Sequence, residues 1–483
     1  MDNVCCKIAL LLSIVSAISA ANILAVFPTP SYSHHIVYKV YAQALASQCH
    51  NVTVIKPTMQ INYINSQLCG NIWEINADMS EVEFKKLISS SANFRKRGAV
   101  SETNTVTADN YKGLIEMYRD QFNHVSVRNL IKSKQTYDLI IVEAFAEYAL
   151  VFGYLNSPAP VIQIAPGYGL IENFETVGVA SNPFHYPNIW RNDFDDNNTM
   201  VEARLKTEFE RLTEISNVML KEQFGSDTPT IQMLRNNVEL LLLNLHPIFD
   251  NNRPVSPSVQ YLGGGLHLMD TSASELHKPI ECFMMNNSRK GTIYVSFGSS
   301  IDTKTFSAEF IQMLVDTFFK LQDYAILWKM ENLTLQNITL PANVFIQKWF
   351  NQRGVLNNKS VLAFITHGGL QSTDEAIEAH VPIICLPMMG DQFFHCFKMK
   401  QLGLCRALNT SYVTTDELTN AVLTVISDST YKRNVQNLYH LIRQDKLAFP
   451  PIDKAIKFTE RIIRNSKAYI RRIHTLKPFQ SYK

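Results

Sequence analysis

The chain has 483 residues, room for two or three domains, and its 46% hydrophobic and 18% charged content is that of a packed globular protein rather than a disordered one. Forty-five Lys and Arg against forty-three Asp and Glu leave a net charge of +2, which gives no basic footprint for nucleic acid, and nucleic-acid partners are set aside.

Residues 1–21, "MDNVCCKIALLLSIVSAISAA", place Lys7 before an apolar run and end in small residues, the layout of a secretory signal peptide, so the mature chain is expected to begin near Ala21 or Asn22. No later stretch offers the roughly 18 continuous apolar residues of a membrane span. A secreted, extracellular protein with no stable membrane anchor is therefore expected. Asn-x-Ser/Thr sequons at Asn51, Asn197, Asn286, Asn332, Asn337, Asn358 and Asn409 agree with that compartment. Outside the signal, Cys49, Cys69, Cys282, Cys385, Cys396 and Cys405 are too widely spaced for a zinc site or a small disulfide scaffold. One bridge, Cys49 to Cys69, suits an oxidising compartment, and the other thiols read as free and buried.

Past the signal, "ANILAVFP" is a strand, "HIVYKVYAQALASQC" carries apolar residues at helical spacing, and "NVTVIKP" is the next strand. "YDLIIVEAF" and "APVIQIAP" add strands, and 198–223 is helical in pattern. These elements make an α/β domain over residues 22–252. Residues 253–275 concentrate Pro and Gly as a linker does. A second α/β domain, 276–450, repeats the alternation with "GTIYVSFG", "YAILWKM", "NVFIQKW", "VLAFITHG" and "VPIICLP", short apolar runs of the kind a buried parallel sheet needs. The tail, 451–483, starts a new helix after two prolines and is expected to pack back towards the first domain.

The stretch "FITHGGLQSTDEA" passes from a strand through a Gly-Gly turn into a helix, the form in which free N–H groups meet an anion. Gly368 and Gly369 let the backbone approach a phosphate, His367 donates from its ring, Ser372 adds a hydroxyl, and Glu375 suits a sugar diol. Upstream, Trp349 and Gln352 in "KWFNQ" place an indole where it can stack on a base. Downstream, "PMMGDQ" sets Asp391 and Gln392 at a strand end to read hydroxyls. A diphosphate, a ribose and a base together mean a nucleotide. In the first domain "SYSHHI" puts His34 in the loop ending the first strand, where a near-neutral imidazole suits a general base, while His35, entering the helix, reads as solvated or capped. "DFD" at Asp193 to Asp195 spells a metal-binding D-x-D but lies in a polar loop, and "GYG" at Gly167 to Gly169 lacks the third glycine of a dinucleotide fingerprint.

From Trp349 through "FITHGGLQSTDEAIEAHVPIICLPMMGDQ" the chain resembles the UDP-glycosyltransferase family, departing at His380, where the family usually has glycine. "SFGSSIDTK", "APVIQIAPGYG", "LLLLNLHPIFDNNRPV" and "FPPIDKAIKFTERIIR" extend the likeness over nearly the whole chain. The resemblance implies a GT-B fold, two Rossmann-like domains facing a cleft, and an inverting transferase with no metal and no cofactor beyond UDP-glucose as co-substrate. It implies that Trp349 stacks on uracil, His367 and Ser372 hold the diphosphate, Glu375 binds ribose, and Asp391 with Gln392 bind glucose, with Gly298 and Ser299 lining the same site. It makes His34 the base and puts Glu143 where the family usually has the aspartate that orients it. Within the family the likeness points to an ecdysteroid acceptor, so the expected partners are a UDP-sugar and an ecdysteroid. Two other readings stay open: a membrane-type detoxifying transferase, and a secreted hormone-binding protein on the same fold.

Overall fold

The computed structural model describes residues 20–90, 102–194, 199–269, 276–287, 289–331 and 338–475. Most of the expected signal segment, Asp195 of the D-x-D, the sequons at Asn197, Asn332 and Asn337, residues 270–275 of the expected linker and residues 476–483 lie outside the described residues.

Two parallel sheets organise the chain. The first comprises β1 (Asn22–Val26), β2 (Asn51–Thr58), β3 (Ile72–Ser80), β4 (Leu139–Glu143), β5 (Val161–Ala165), β6 (Val238–Leu243) and β7 (Val259–Tyr261), in the order β3-β2-β1-β4-β5-β6-β7. The second comprises β8 (Gly291–Ser296), β9 (Tyr324–Lys329), β10 (Val344–Gln347), β11 (Val361–Thr366), β12 (Ile383–Cys385) and β13 (Cys405–Ala407), in the order β10-β9-β8-β11-β12-β13. Central strands such as β4, β5 and β8 are buried along their whole length, which is why β4 and β5 are mostly Ile, Val and Leu and β8 centres on Ile-Tyr-Val. Strand order reverses between β1 and β4 in one sheet and between β8 and β11 in the other. Such switch points open a crevice at the carboxyl ends of the strands.

Three details differ from the sequence reading. The first helix starts at Tyr32, so both His34 and His35 lie in its opening turn rather than His34 in the preceding loop; Ser31 is its N-cap residue. Part of the expected linker, Val259–Tyr261, is strand β7, paired with β6 through Leu241 and Val259, because burying Val259 and Tyr261 extends the first sheet past the proline-rich turn. Cys282 is exposed, whereas Cys385, Cys396 and Cys405 are buried and Cys49 is bonded to Cys69.

The tail is helical over Pro451–Thr475, with Pro451 in the first position, where its missing N–H costs nothing. Ala455, Ile462 and Ile463 join the core of the first sheet with Ile23 and Val52. Thr459 Oγ1 donates to the Ala455 carbonyl, so the Tyr41 hydroxyl, 2.6 Å away, donates to Thr459. A further apolar cluster runs across the domain seam, joining Tyr168, Phe174 and Leu243 to Leu370, Phe394 and Met399.

Candidate active site

His34 projects from the first helical turn after β1, and Glu143 is the last residue of β4, its neighbour at the switch point. His34 Nδ1 lies 2.7 Å from Glu143 Oε1, and the other carboxylate oxygen accepts the Thr29 N–H at 3.2 Å. An ionised carboxylate only accepts, so Nδ1 carries the hydrogen and Nε2 of a neutral ring is left as a lone pair. Glu143 is fully buried behind the ring, while the His34 side chain keeps 24% of its surface and lines the cleft. The longer carboxylate thus spans to the imidazole while still fixed by backbone.

His35 is neither solvated nor capped. It is wholly buried, with Nε2 3.0 Å from the Thr29 carbonyl and Nδ1 2.8 Å from the Tyr63 hydroxyl. The carbonyl can only accept, so Nε2 donates and Nδ1 accepts. Burial, aided by the neighbouring His34, drives its pKa down to about 3 and keeps it neutral. Its Nε2 thus bonds the carbonyl of Thr29, the residue whose N–H meets Glu143.

Across the cleft, β11 ends in Thr366 and the turn His367-Gly368-Gly369 leads into the helix Leu370–Glu378. The His367 ring sits between Gly298 and Gly369, where a β-carbon would lie 2.6 Å and 2.5 Å from it. Gly368 has φ +79°, and a β-carbon there would lie 2.2 Å from Cys396 Sγ. The Gly-Gly pair therefore makes room for the ring and the thiol as well as for any ligand. Burial, and then the Lys329 cation, push the His367 pKa down to about 3, so the ring offers one hydrogen and no charge.

Gln352 Nε2 donates to Ser372 Oγ at 3.0 Å and to Glu375 Oε2 at 2.8 Å, joining three of the expected donor-site residues. Burial raises the Glu375 pKa to about 7 against the pull of Gln352 and Arg353. Trp349 is half exposed; Lys329 Nζ stands 4.5 Å from its ring centroid and Tyr32 meets it edge-on at 5.1 Å. Gln392 Oε1 accepts from the N–H groups of Met388 and Met389, both at 3.0 Å, which leaves its amide hydrogens as the part free to read a ligand. Asp391 stands at the mouth of the helix Gln392–Gln401; burial raises its pKa and the facing His34 lowers it.

These side chains share one trough. A cleft of about 1450 Å³, partly open to solvent, is lined by His34, Gly298, Ser299, His367, Gly369, Ser372, Asp391 and Gln392, with Phe84, Leu114, Phe145, Leu170, Ile189 and Trp190 as an apolar wall. A second cavity shares Gly298, Ser299 and Ser372 with it and reaches Trp349, Gln352 and Glu375. Lys329, which also donates to the Gly298 carbonyl at 2.6 Å, is absent from the sequence reading; the signal for it was a cation closing the apolar run "YAILW" at the carboxyl end of a strand. Trp190, packed near Gly390, gave no such signal. Asp193 is exposed, and "GYG" is a seam turn whose Gly167 faces Leu370.

The family model described as UDP-glucoronosyl and UDP-glucosyl transferase matches residues 22–482. The ecdysteroid UDP-glucosyltransferase of Autographa californica nuclear polyhedrosis virus is 60% identical over 482 residues, covering 98% of this chain and 95% of that one. Its counterpart in Choristoneura fumiferana defective polyhedrosis virus is 57% identical over 456 residues, covering 93% of this chain and 92% of that one. Among solved structures, the glycotransferase of kitacinnamycin superposes with a TM-score of 0.61 at 19% identity, over 92% of this chain and 99% of that chain. CalG4, the calicheamicin glycosyltransferase, gives 0.59 at 15% identity, over 92% and 98%. Two parallel sheets facing one cleft, with these neighbours, make the fold α/β of the GT-B type. The chain belongs to the UDP-glucoronosyl and UDP-glucosyl transferase family.

Proposed function

We propose that this protein transfers glucose from UDP-glucose to a hydroxyl of an ecdysteroid, with inversion at the anomeric carbon. The observation that carries the proposal is a histidine backed by a buried carboxylate, His34 on Glu143, facing Asp391 and Gln392, which open the helix Gln392–Gln401 rather than end a strand, across a cleft with a largely apolar wall. The apolar wall suits a sterol skeleton, and the names of the viral relatives supply the acceptor class.

In this reading the acceptor hydroxyl gives its proton to His34 Nε2 while its oxygen attacks the anomeric carbon from the face opposite UDP. The new C–O bond forms as the bond to the diphosphate oxygen breaks, and UDP departs with the electron pair. Glu143 offsets the imidazolium charge. The neutral ring of His367, the hydroxyl of Ser372 and the backbone at Gly298 to Ser299 and at Gly369 receive the diphosphate, and Lys329 adds a nearby cation. Trp349 stacks on uracil, Glu375 and Gln352 take the ribose, and Asp391 with the Gln392 amide hydrogens take the glucose. No step calls for a metal.

The glucoside would be too polar to act as the parent steroid does, so the product is an inactivated moulting hormone, and the insect host's development is the process affected. Cleavage of the signal near Ala21 and export complete the proposal; among the described residues no helix is long and apolar enough to cross a membrane. Incubating the protein with UDP-glucose and an ecdysteroid tests it. Mass spectrometry should show one hexose added per UDP released, and NMR a β-linked anomeric proton. Hormone bound tightly with no UDP released would mean a binding protein on this fold.

A further inference from the structure

His395 lies four residues past Asp391 on the helix Gln392–Gln401, is 1% exposed, and uses both ring nitrogens, one of them across the domain seam. Nδ1 is 2.8 Å from the hydroxyl of Tyr168, in the turn after β5, and Nε2 is 2.7 Å from Thr373 Oγ1, in the helix Leu370–Glu378. The proton positions follow from counting. Thr373 Oγ1 donates to the Leu370 carbonyl at 2.8 Å, so it has only lone pairs for the ring. Nε2 therefore carries the hydrogen, and Nδ1 accepts from Tyr168. Donation runs one way, from Tyr168 through His395 and Thr373 to a backbone carbonyl. Burial pushes the His395 pKa down to about 3, so near neutral pH the ring is neutral and the direction is fixed.

The placement gives this relay its consequence. Thr373 adjoins Ser372 and stands two residues before Glu375, while His395 shares a helix with Gln392, so one imidazole ties together both helices of the donor side. Tyr168 ties them to the acceptor-side turn, which lines the same cleft as His34. The turn is held there at two further points: Gln371 Nε2 donates to the Pro166 carbonyl at 2.9 Å, and a β-carbon on Gly167 would lie 2.7 Å from Leu370. Phe249, from the first domain, covers the imidazole at 4.9 Å.

We propose that His395 is a positioning residue for the transfer, setting the register of the Tyr168 turn, and with it the acceptor, against the helices that hold the UDP-sugar; this rests on the functional reading above. Such a group acts when both substrates are bound and does little for UDP alone. In the full chain, Tyr168→Phe removes the bond across the seam but keeps the ring, His395→Gln keeps a donor for Thr373 and loses the acceptor at Nδ1, and His395→Asn keeps that acceptor. The kcat for transfer should fall about tenfold in Tyr168→Phe and His395→Gln, the loss expected of one hydrogen bond exploited during the reaction. His395→Asn should recover part of it, and the Kd for UDP, by calorimetry, should stay within about twofold of the parent's throughout. Parent-level turnover in Tyr168→Phe would overturn the proposal. So would UDP affinity falling in step with kcat, the mark of a purely structural role. If the unmodified chain does not bind UDP, the functional reading itself fails, and this inference falls with it.

Discussion

Glu143 is one methylene longer than the aspartate expected by resemblance, and both of its oxygens are engaged, one by His34 and one by the Thr29 N–H. Shortening it to aspartate draws the carboxylate back by about 1.5 Å, so Glu143→Asp should lose one of those bonds and turn over more slowly than the parent. Glu143→Gln should be slower than the parent but faster than any variant lacking His34, because an amide still orients the ring yet cannot offset its charge. A steady-state comparison of kcat checks the order. His35→Ala acts differently: it empties a fully buried site and removes one hydrogen-bond partner each from the Tyr63 hydroxyl and the Thr29 carbonyl, costing about 2–4 kcal/mol of stability. Its melting temperature should drop, while the fraction still folded keeps most of its kcat. Asp391→Ala should raise the KM for UDP-glucose or lower kcat and leave UDP binding nearly unchanged, whereas Trp349→Ala should weaken both ligands. The residues proposed for the donor side could be named from sequence because the motifs that carry them are local. The environment of His35 could not, since its partner Tyr63 comes from a loop that carries no periodic signal.

Among the elements, the helix Leu370–Glu378 carries two neighbouring acids that are largely covered, Asp374 and Glu375, both pushed up to about 7 chiefly by desolvation. A carboxyl with a raised folded pKa binds its proton more tightly folded than unfolded, so stability is highest below the unfolded value and falls as pH rises through the folded one. Set against the rise in stability that the buried neutral histidines give up to about pH 6.5, these two acids contribute a falling slope between about pH 4 and 7, on the order of 1–3 kcal/mol each. Asp374→Asn, which still accepts the Gly265 N–H, should flatten that slope in thermal unfolding followed across pH. The same helix ends where the sequence departs from its family. His380 has φ +57°, its N–H bonds the Ile377 carbonyl, and the Val381 N–H bonds the Ala376 carbonyl, a Schellman motif whose left-handed residue is usually glycine. The strained histidine is partly repaid by its ring contact with Tyr439 at 4.5 Å. Fully buried strands were plain in the sequence, while β7 and β13, three residues each at sheet edges, are too short for a pattern to show.

At the scale of the molecule, the two sheets bring His34 and Asp391 to one cleft, so the proposed site draws on residues that follow strands of both sheets. The α/β alternation of each half could be read from periodicity. The seam could not, because contacts such as Tyr168 with His395, 227 residues apart, depend on packing that leaves no local trace. The central claim is that His34 takes the acceptor's proton, and the most direct test is the transfer rate of His34→Ala beside its affinity for UDP. The account predicts a loss of roughly 10²- to 10⁴-fold in glucosyl transfer to an ecdysteroid, the span of a positioned general base, with UDP bound as tightly as by the parent. An unchanged transfer rate in a variant that binds UDP normally would contradict it.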